Sequence, residues 1–145
     1  GVSTGINAEF ASISDCVISA TTVGINTSFS TISGCKLVTA GGVSTGIECF
    51  TTRISDTQID VSFDDTGIRC SLSHVSDCTL IGPTAGTGNT GIEDQGENSI
   101  DNTYVRTDTG FSIPFGSSVI RNCTWFGTVT AIAGGGTPTL IDNNF

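Results

Sequence analysis

The chain has 145 residues and sets 14 acidic side chains against five Lys and Arg, a formal charge of −9. Ile, Val and Thr fill 49 positions, whereas Ala, Leu, Glu, Lys, Arg, Gln and Met together fill 22, so strand formers dominate and helix formers are scarce. These proportions exclude helical bundles, coiled coils and alternating α/β folds, and the acidity removes the basic footprint that DNA, RNA or an anionic membrane surface requires.

Read in chain order, the sequence is one repeat. A glycine followed by an apolar residue recurs as Gly5-Ile6, Gly24-Ile25, Gly46-Ile47, Gly67-Ile68, Gly91-Ile92 and Gly110-Phe111, with Ala131-Ile132 as a degenerate seventh copy. A second signature follows each: Ile13-Ser14-Asp15-Cys16, Ile32-Ser33-Gly34-Cys35, Ile54-Ser55-Asp56-Thr57, Val75-Ser76-Asp77-Cys78, Ile100-Asp101-Asn102-Thr103, Ile120-Arg121-Asn122-Cys123 and Ile141-Asp142-Asn143-Asn144. Seven copies at roughly 21-residue spacing mark a solenoid. The third position of the second signature holds Asp, Gly or Asn, the residues that tolerate a left-handed backbone, so it reads as a corner between short strands. Columns of apolar or small residues flank that corner, with Ile13 to Ile141 in one, Cys16 to Cys123 in the next, and Ile18, Leu37, Ile59, Leu80, Val105 and Trp125 in a third. The step from glycine to corner is nearly constant at 8 to 10 residues, while the return step varies from 10 to 16. Insertions such as Ala40-Gly41-Gly42, Asp64-Asp65 and Gly82 to Asn89 therefore collect on one edge, where a solenoid carries recognition.

This pattern resembles the right-handed parallel β-helices of the pectate-lyase-like superfamily. The fold expected is all-β: a single-stranded parallel β-helix of about seven coils, one domain over residues 1–145 and a segment of a longer chain. The lyase activity does not carry over, because nothing here reproduces that family's calcium-binding aspartates with a catalytic Arg or Lys.

Three groups of residues are candidates for chemistry. Glu48, Arg69 and Glu93 follow the glycine signature in successive coils and face solvent with alternating sign. They are either a ligand site or a surface ion ladder. Asp60, Asp64 and Asp65 are the acidic cluster on the variable edge and the nominees for catalysis on a saccharide, since glycoside hydrolysis uses paired carboxylates. His74 is the single histidine and lies beside a corner, in a position other coils fill with Ser12, Thr31, Arg53 and Ser99. The six cysteines lack zinc-knuckle spacing and read as buried free thiols, although stacked neighbours Cys16 and Cys35, or Cys49 and Cys70, lie close enough in the repeat to bridge. No metal or cofactor is expected.

A Ser/Thr/Gly-rich, acidic β-helix with buried thiols is also similar to the rod domains of bacteriophage tailspikes and tail fibres. That resemblance implies a homotrimer in a virion, assembled in the host cytoplasm, with a structural and receptor-binding role toward bacterial surface polysaccharide and no nucleic-acid or membrane partner. The alternatives are a polysaccharide-degrading fragment, as a glycoside hydrolase or lyase, and an extracellular adhesin or filament subunit.

Overall fold

A computed structural model describes the chain except for residues 1–3, 21, 41–43, 84–86 and 128. The paired strands are parallel, and the described residues contain no helix. The first sheet orders Thr4–Glu9, Val23–Ser28, Thr45–Phe50, Thr66–Ser71, Thr90–Asp94, Thr109–Ser112 and Thr130–Ala133. The second orders Ser12–Ser14, Thr31–Ser33, Arg53–Ser55, His74–Ser76, Ser99–Asp101, Val119–Arg121 and Thr139–Ile141. The third orders Val17–Ala20, Lys36–Thr39, Gln58–Asp60, Thr79–Ile81, Tyr104–Arg106 and Thr124–Trp125. Two sheets hold seven strands and the third six, so the chain closes a parallel β-solenoid of about six turns, where counting repeat copies gives seven.

The core is the set of inward columns. Ile25, Ile47, Ile68, Ile92 and Phe111 stack in the first sheet, Ile32, Ile54, Val75, Ile100 and Ile120 in the second, and Leu37, Ile59, Leu80 and Val105 in the third, all at 0% exposure. Alternate residues face out, which is the period of two that a sheet imposes. Burial of each such side chain contributes about 1.5–3 kcal/mol.

The glycine signature has a steric cause. A Cβ built on Gly5, Gly46, Gly67, Gly91 or Gly110 would lie 2.6–2.7 Å from the carbonyl oxygen of the residue stacked in the next coil. That approach excludes every side chain. Ala131, in the last strand of this sheet, carries a methyl at the position that is glycine in the other copies.

Two of the three corners of each turn use one residue in the left-handed region in most coils. At the corner between the second and third sheets these are Asp15, Gly34, Asp56, Asp77, Asn102 and Asn122, with φ of 46–63°. The next residue is Cys16, Cys35, Thr57, Cys78, Thr103 or Cys123, and each donates its thiol or hydroxyl hydrogen to the carbonyl two residues back, at 2.9–3.4 Å. Cysteine and threonine alternate in this column because both are small and both can make this bond.

The last copy sits one residue out of the expected register. Leu140, not Ile141, pairs with Ile120, and Asp142, not Asn143, takes the left-handed φ of 50°. Asn143 then stacks on Cys123, accepting its N–H at 2.9 Å. The run Asp142-Asn143-Asn144 offers three tolerant corner residues, so residue type alone leaves the register open, and hydrogen bonding to the preceding coil fixes it.

Candidate functional site

The corner between the first and second sheets was not marked by a signature, and the structure shows what occupies it. Phe10, Phe29, Thr51, Leu72 and Glu97 adopt φ of 49–55°, a region that bulky side chains disfavour. Each is followed by a residue of a second column, Ala11, Ser30, Thr52, Ser73 or Asn98. The Ser30, Thr52 and Ser73 hydroxyls donate to the carbonyl two residues back at 2.8–3.1 Å. Their partners run along the rod as well: Ser30 Oγ accepts the Ala11 N–H, Ser73 Oγ the Thr52 N–H, Asn98 Oδ1 the Ser73 N–H and Ser118 Oγ the Asn98 N–H, at 2.7–3.1 Å. A buried polar ladder thus holds this corner shut.

Outside that ladder, the first coils carry an aromatic cluster. Phe10 and Phe29 stack with ring centroids 5.1 Å apart and planes 9° from parallel, and Phe50 stands at 84° to Phe29 with centroids 5.9 Å apart. Phe50 occupies the register position of Ser28, so its ring reaches from the edge over the outer face of the first sheet. There it borders a shallow trough lined also by Asn26, Glu48, Arg69, Glu93 and Gln95. The sequence candidates Glu48, Arg69 and Glu93 therefore share one site, as neighbours in register. Arg69 turns toward one side only, its Nε and Nη2 donating to Glu93 Oε2 at 3.0 and 2.9 Å. Gln95 Nε2 donates to Glu93 Oε1, and Glu48 has no ion pair among the described residues. The Arg69–Glu93 pair is partly solvated and contributes at most about 1 kcal/mol. Its outward-facing polar atoms nevertheless form a fixed row of planar donors and acceptors beside an aromatic ring.

The variable-edge acids do not converge. Asp60 lies at the end of a third-sheet strand and accepts from Gln58 Nε2 at 3.0 Å. Asp64 is exposed and left-handed, with φ 58°. Asp65 is 1% exposed and its Oδ1 accepts the Ser44 N–H at 2.6 Å. It belongs to another interior ladder, in which Asp108 Oδ2 accepts the Gly88 N–H at 2.9 Å and Asn89 Oδ1 the Asp108 N–H at 2.7 Å. The loops around Gly41, Gly42 and residues 84–86 lie outside the described residues.

On the second sheet, His74 Nδ1 is 3.6 Å from Asp101 Oδ2, and Asp101 also takes a 2.7 Å bond from Arg121 Nε. The six cysteines are free. Burial pushes the Cys49 and Cys78 thiols up to about 12 and raises Cys70 well above its ordinary value, the reverse of what a nucleophilic thiol requires. Among the described residues no cluster of three His, Cys, Asp or Glu has a geometry that would hold a metal ion.

No family model matches this chain, and no curated protein or solved structure matches it with significance.

The aromatic edge was missed in the sequence, although its signal is there. Phe10, Phe29 and Leu72 each lie five residues after a signature glycine, and Phe50 lies four. A search for buried columns passes over an apolar residue that repeats in an outward position.

Proposed function

We propose that this chain is a structural and receptor-binding segment of a virion fibre or tailspike, a homotrimer of solenoid rods that binds bacterial surface polysaccharide along the first sheet. The observation that carries the reading is the trough in which Phe50 flanks Asn26, Glu48, Arg69, Glu93 and Gln95. Pyranose rings present an apolar C–H face and a rim of hydroxyls. An aromatic side chain beside planar amides, carboxylates and a guanidinium matches both, with the aromatic burying area and the polar groups fixing orientation. The charge of −9 favours an uncharged polysaccharide over one rich in acidic sugars. Six free thiols suit assembly in a reducing host cytoplasm followed by residence in the virion, rather than export as an extracellular adhesin.

Cleavage of the bound polysaccharide finds less support, because the Asp65 carboxylate is buried on a backbone N–H and is removed from Asp64 as a partner for acid–base work.

The test is binding of the purified chain to an array of neutral and acidic bacterial surface polysaccharides, followed by calorimetry on each that binds. Wild-type protein is expected to retain neutral members, and Arg69→Ala and Phe50→Ala to lose them. A chain that retains none, or substitutions that leave binding unchanged, overturns the reading.

A further inference from the structure

We propose that the corner edge through Phe10, Phe29, Phe50 and Leu72 is the surface on which a second copy of this chain docks, side by side and parallel. The inference rests on the homo-oligomer proposed above and supplies its interface.

The first argument is residue choice. The repeat has two left-handed corners with the same φ, and at one of them every described coil uses Asp, Asn or Gly, which tolerate that backbone. At the other, Phe10, Phe29 and Leu72 take the same φ of 50–52°. Local backbone preference opposes these residues, and the chain covers them only in part: Phe10 is 77% exposed, Phe29 49% and Leu72 45%, with Phe50 beside them at 42%. Large apolar side chains that gain no backbone relief and still leave about two-fifths or more of their surface open, grouped on one edge, mark a contact with another molecule.

The second argument selects the occupant. The edge presents one large apolar side chain per coil, at the roughly 4.8 Å interval of stacked parallel strands. A second solenoid laid parallel to the first has that same interval and meets it coil for coil over all four positions. A globular partner has no such repeat. The third argument is charge: two chains of −9 repel unless they meet on neutral surface. Between Glu9 and Glu97, the left-handed positions of this one corner, Phe10, Phe29, Thr51 and Leu72, carry no ionisable side chain, nor does Phe50, while Arg53 and His74 flank the edge on the second-sheet side.

The experiment is sedimentation velocity over a concentration series, comparing wild type with a Phe10→Asn/Phe29→Asn double variant. Asn is better suited than Phe to both backbone positions, so the variant folds, which its urea midpoint checks. Wild type is expected to sediment as a multiple of the 14.8 kDa chain, and the variant to associate roughly a hundredfold more weakly, the scale of losing two aromatic anchors. An assembly that survives both substitutions overturns the edge while leaving the homo-oligomer intact. A wild-type monomer overturns the interface and the trimer together, and polysaccharide binding then stands or falls on its own calorimetry. A double variant that assembles normally but loses polysaccharide shows that the edge is occupied by the glycan and overturns the inference.

Discussion

Replacing Asn98 by alanine tests whether the corner ladder holds the rod together. Asn98 is 3% exposed, and its side chain serves three groups. Oδ1 accepts the Ser73 N–H at 2.7 Å, and Nδ2 donates to the Cys70 carbonyl at 3.1 Å and to Asp94 Oδ1 at 2.5 Å. Truncation leaves the Ser73 N–H without a partner in a space closed to bulk solvent and removes one of two donors from the Cys70 carbonyl, which keeps the Gln95 N–H at 2.8 Å. Asp94 keeps only the Gly96 N–H at 2.8 Å on Oδ1, since its Oδ2 already lacks a partner among the described residues. A stranded buried group costs about 1–3 kcal/mol. With one donor stranded, Asn98→Ala should destabilise by about 1–3 kcal/mol, a sizeable part of the 5–15 kcal/mol typical of a domain. Urea unfolding measures this as a lower midpoint at unchanged slope. Asn98→Ser, which supplies the hydroxyl used at Ser30, Ser73 and Ser118, should recover part of the loss. A midpoint within error of wild type for Asn98→Ala would refute the ladder as a source of stability.

Two further outcomes follow from the geometry. Gly67→Ala places a Cβ against Leu80 Cδ2 and 2.6 Å from the Gly91 carbonyl oxygen, an overlap with fixed backbone that should lower the unfolding free energy by about 1–3 kcal/mol or more, whereas Ala131→Gly should cost no more than about 1 kcal/mol; equal effects at the two sites would contradict the close-approach account. Burial raises the thiols of Cys35, Cys49, Cys70, Cys78 and Cys123. With folded values above the unfolded one, these groups favour the fold below about pH 8.5, and that contribution is lost as pH climbs toward 12. Unfolding free energy should therefore be level from pH 7 to 8.5 and then fall by up to about 1.4 kcal/mol per pH unit for each thiol ionising in the unfolded chain. Midpoints that hold constant to pH 11 would contradict it.

Most of the scaffold was legible because a solenoid repeats its constraints. The glycine of each Gly-Ile pair is forced by a neighbouring carbonyl, the Asp/Asn/Gly position by a left-handed φ, and the inward Ile by burial, so each leaves a mark in nearly every coil. The seventh copy failed at Ile141 because its corner run contains several tolerant residues and its inward residue is Leu140. Glu48, Arg69 and Glu93 were found because outward residues at a fixed offset must stack. Which way Arg69 turns was not legible, since two carboxylates flank it equally in the sequence, and Gln95 on Glu93 tips the choice only in three dimensions. Asp65 read as an edge acid because composition cannot distinguish a solvated carboxylate from one turned inward onto the Ser44 N–H.

The chain's composition follows from its corners. Most residues after a left-handed corner are small enough to stack and able to donate to the carbonyl two residues back, a role met by Ser and Thr between the first and second sheets and by Cys and Thr between the second and third. The coil-to-coil approach in the first sheet admits glycine alone, and the inward columns take β-branched or leucine side chains. Once these demands are met, few positions in a turn remain free to carry chemistry. They are the outward residues of the three sheets and the left-handed residues themselves. Charge and aromaticity are scarce in this sequence, so their placement at free positions carries information that the Ser and Thr background does not. Asn26, Glu48, Arg69 and Glu93 lie on one outward column of the first sheet, and Phe10, Phe29, Phe50 and Leu72 gather on one edge beside it. The two surfaces differ in character, one polar and one apolar, and they meet at Phe50, which lines the trough and stands against Phe29 of the edge. Phe50→Ala alone therefore cannot separate the proposed glycan site from the proposed rod contact, whereas Arg69→Ala and the Phe10→Asn/Phe29→Asn pair each touch one surface only.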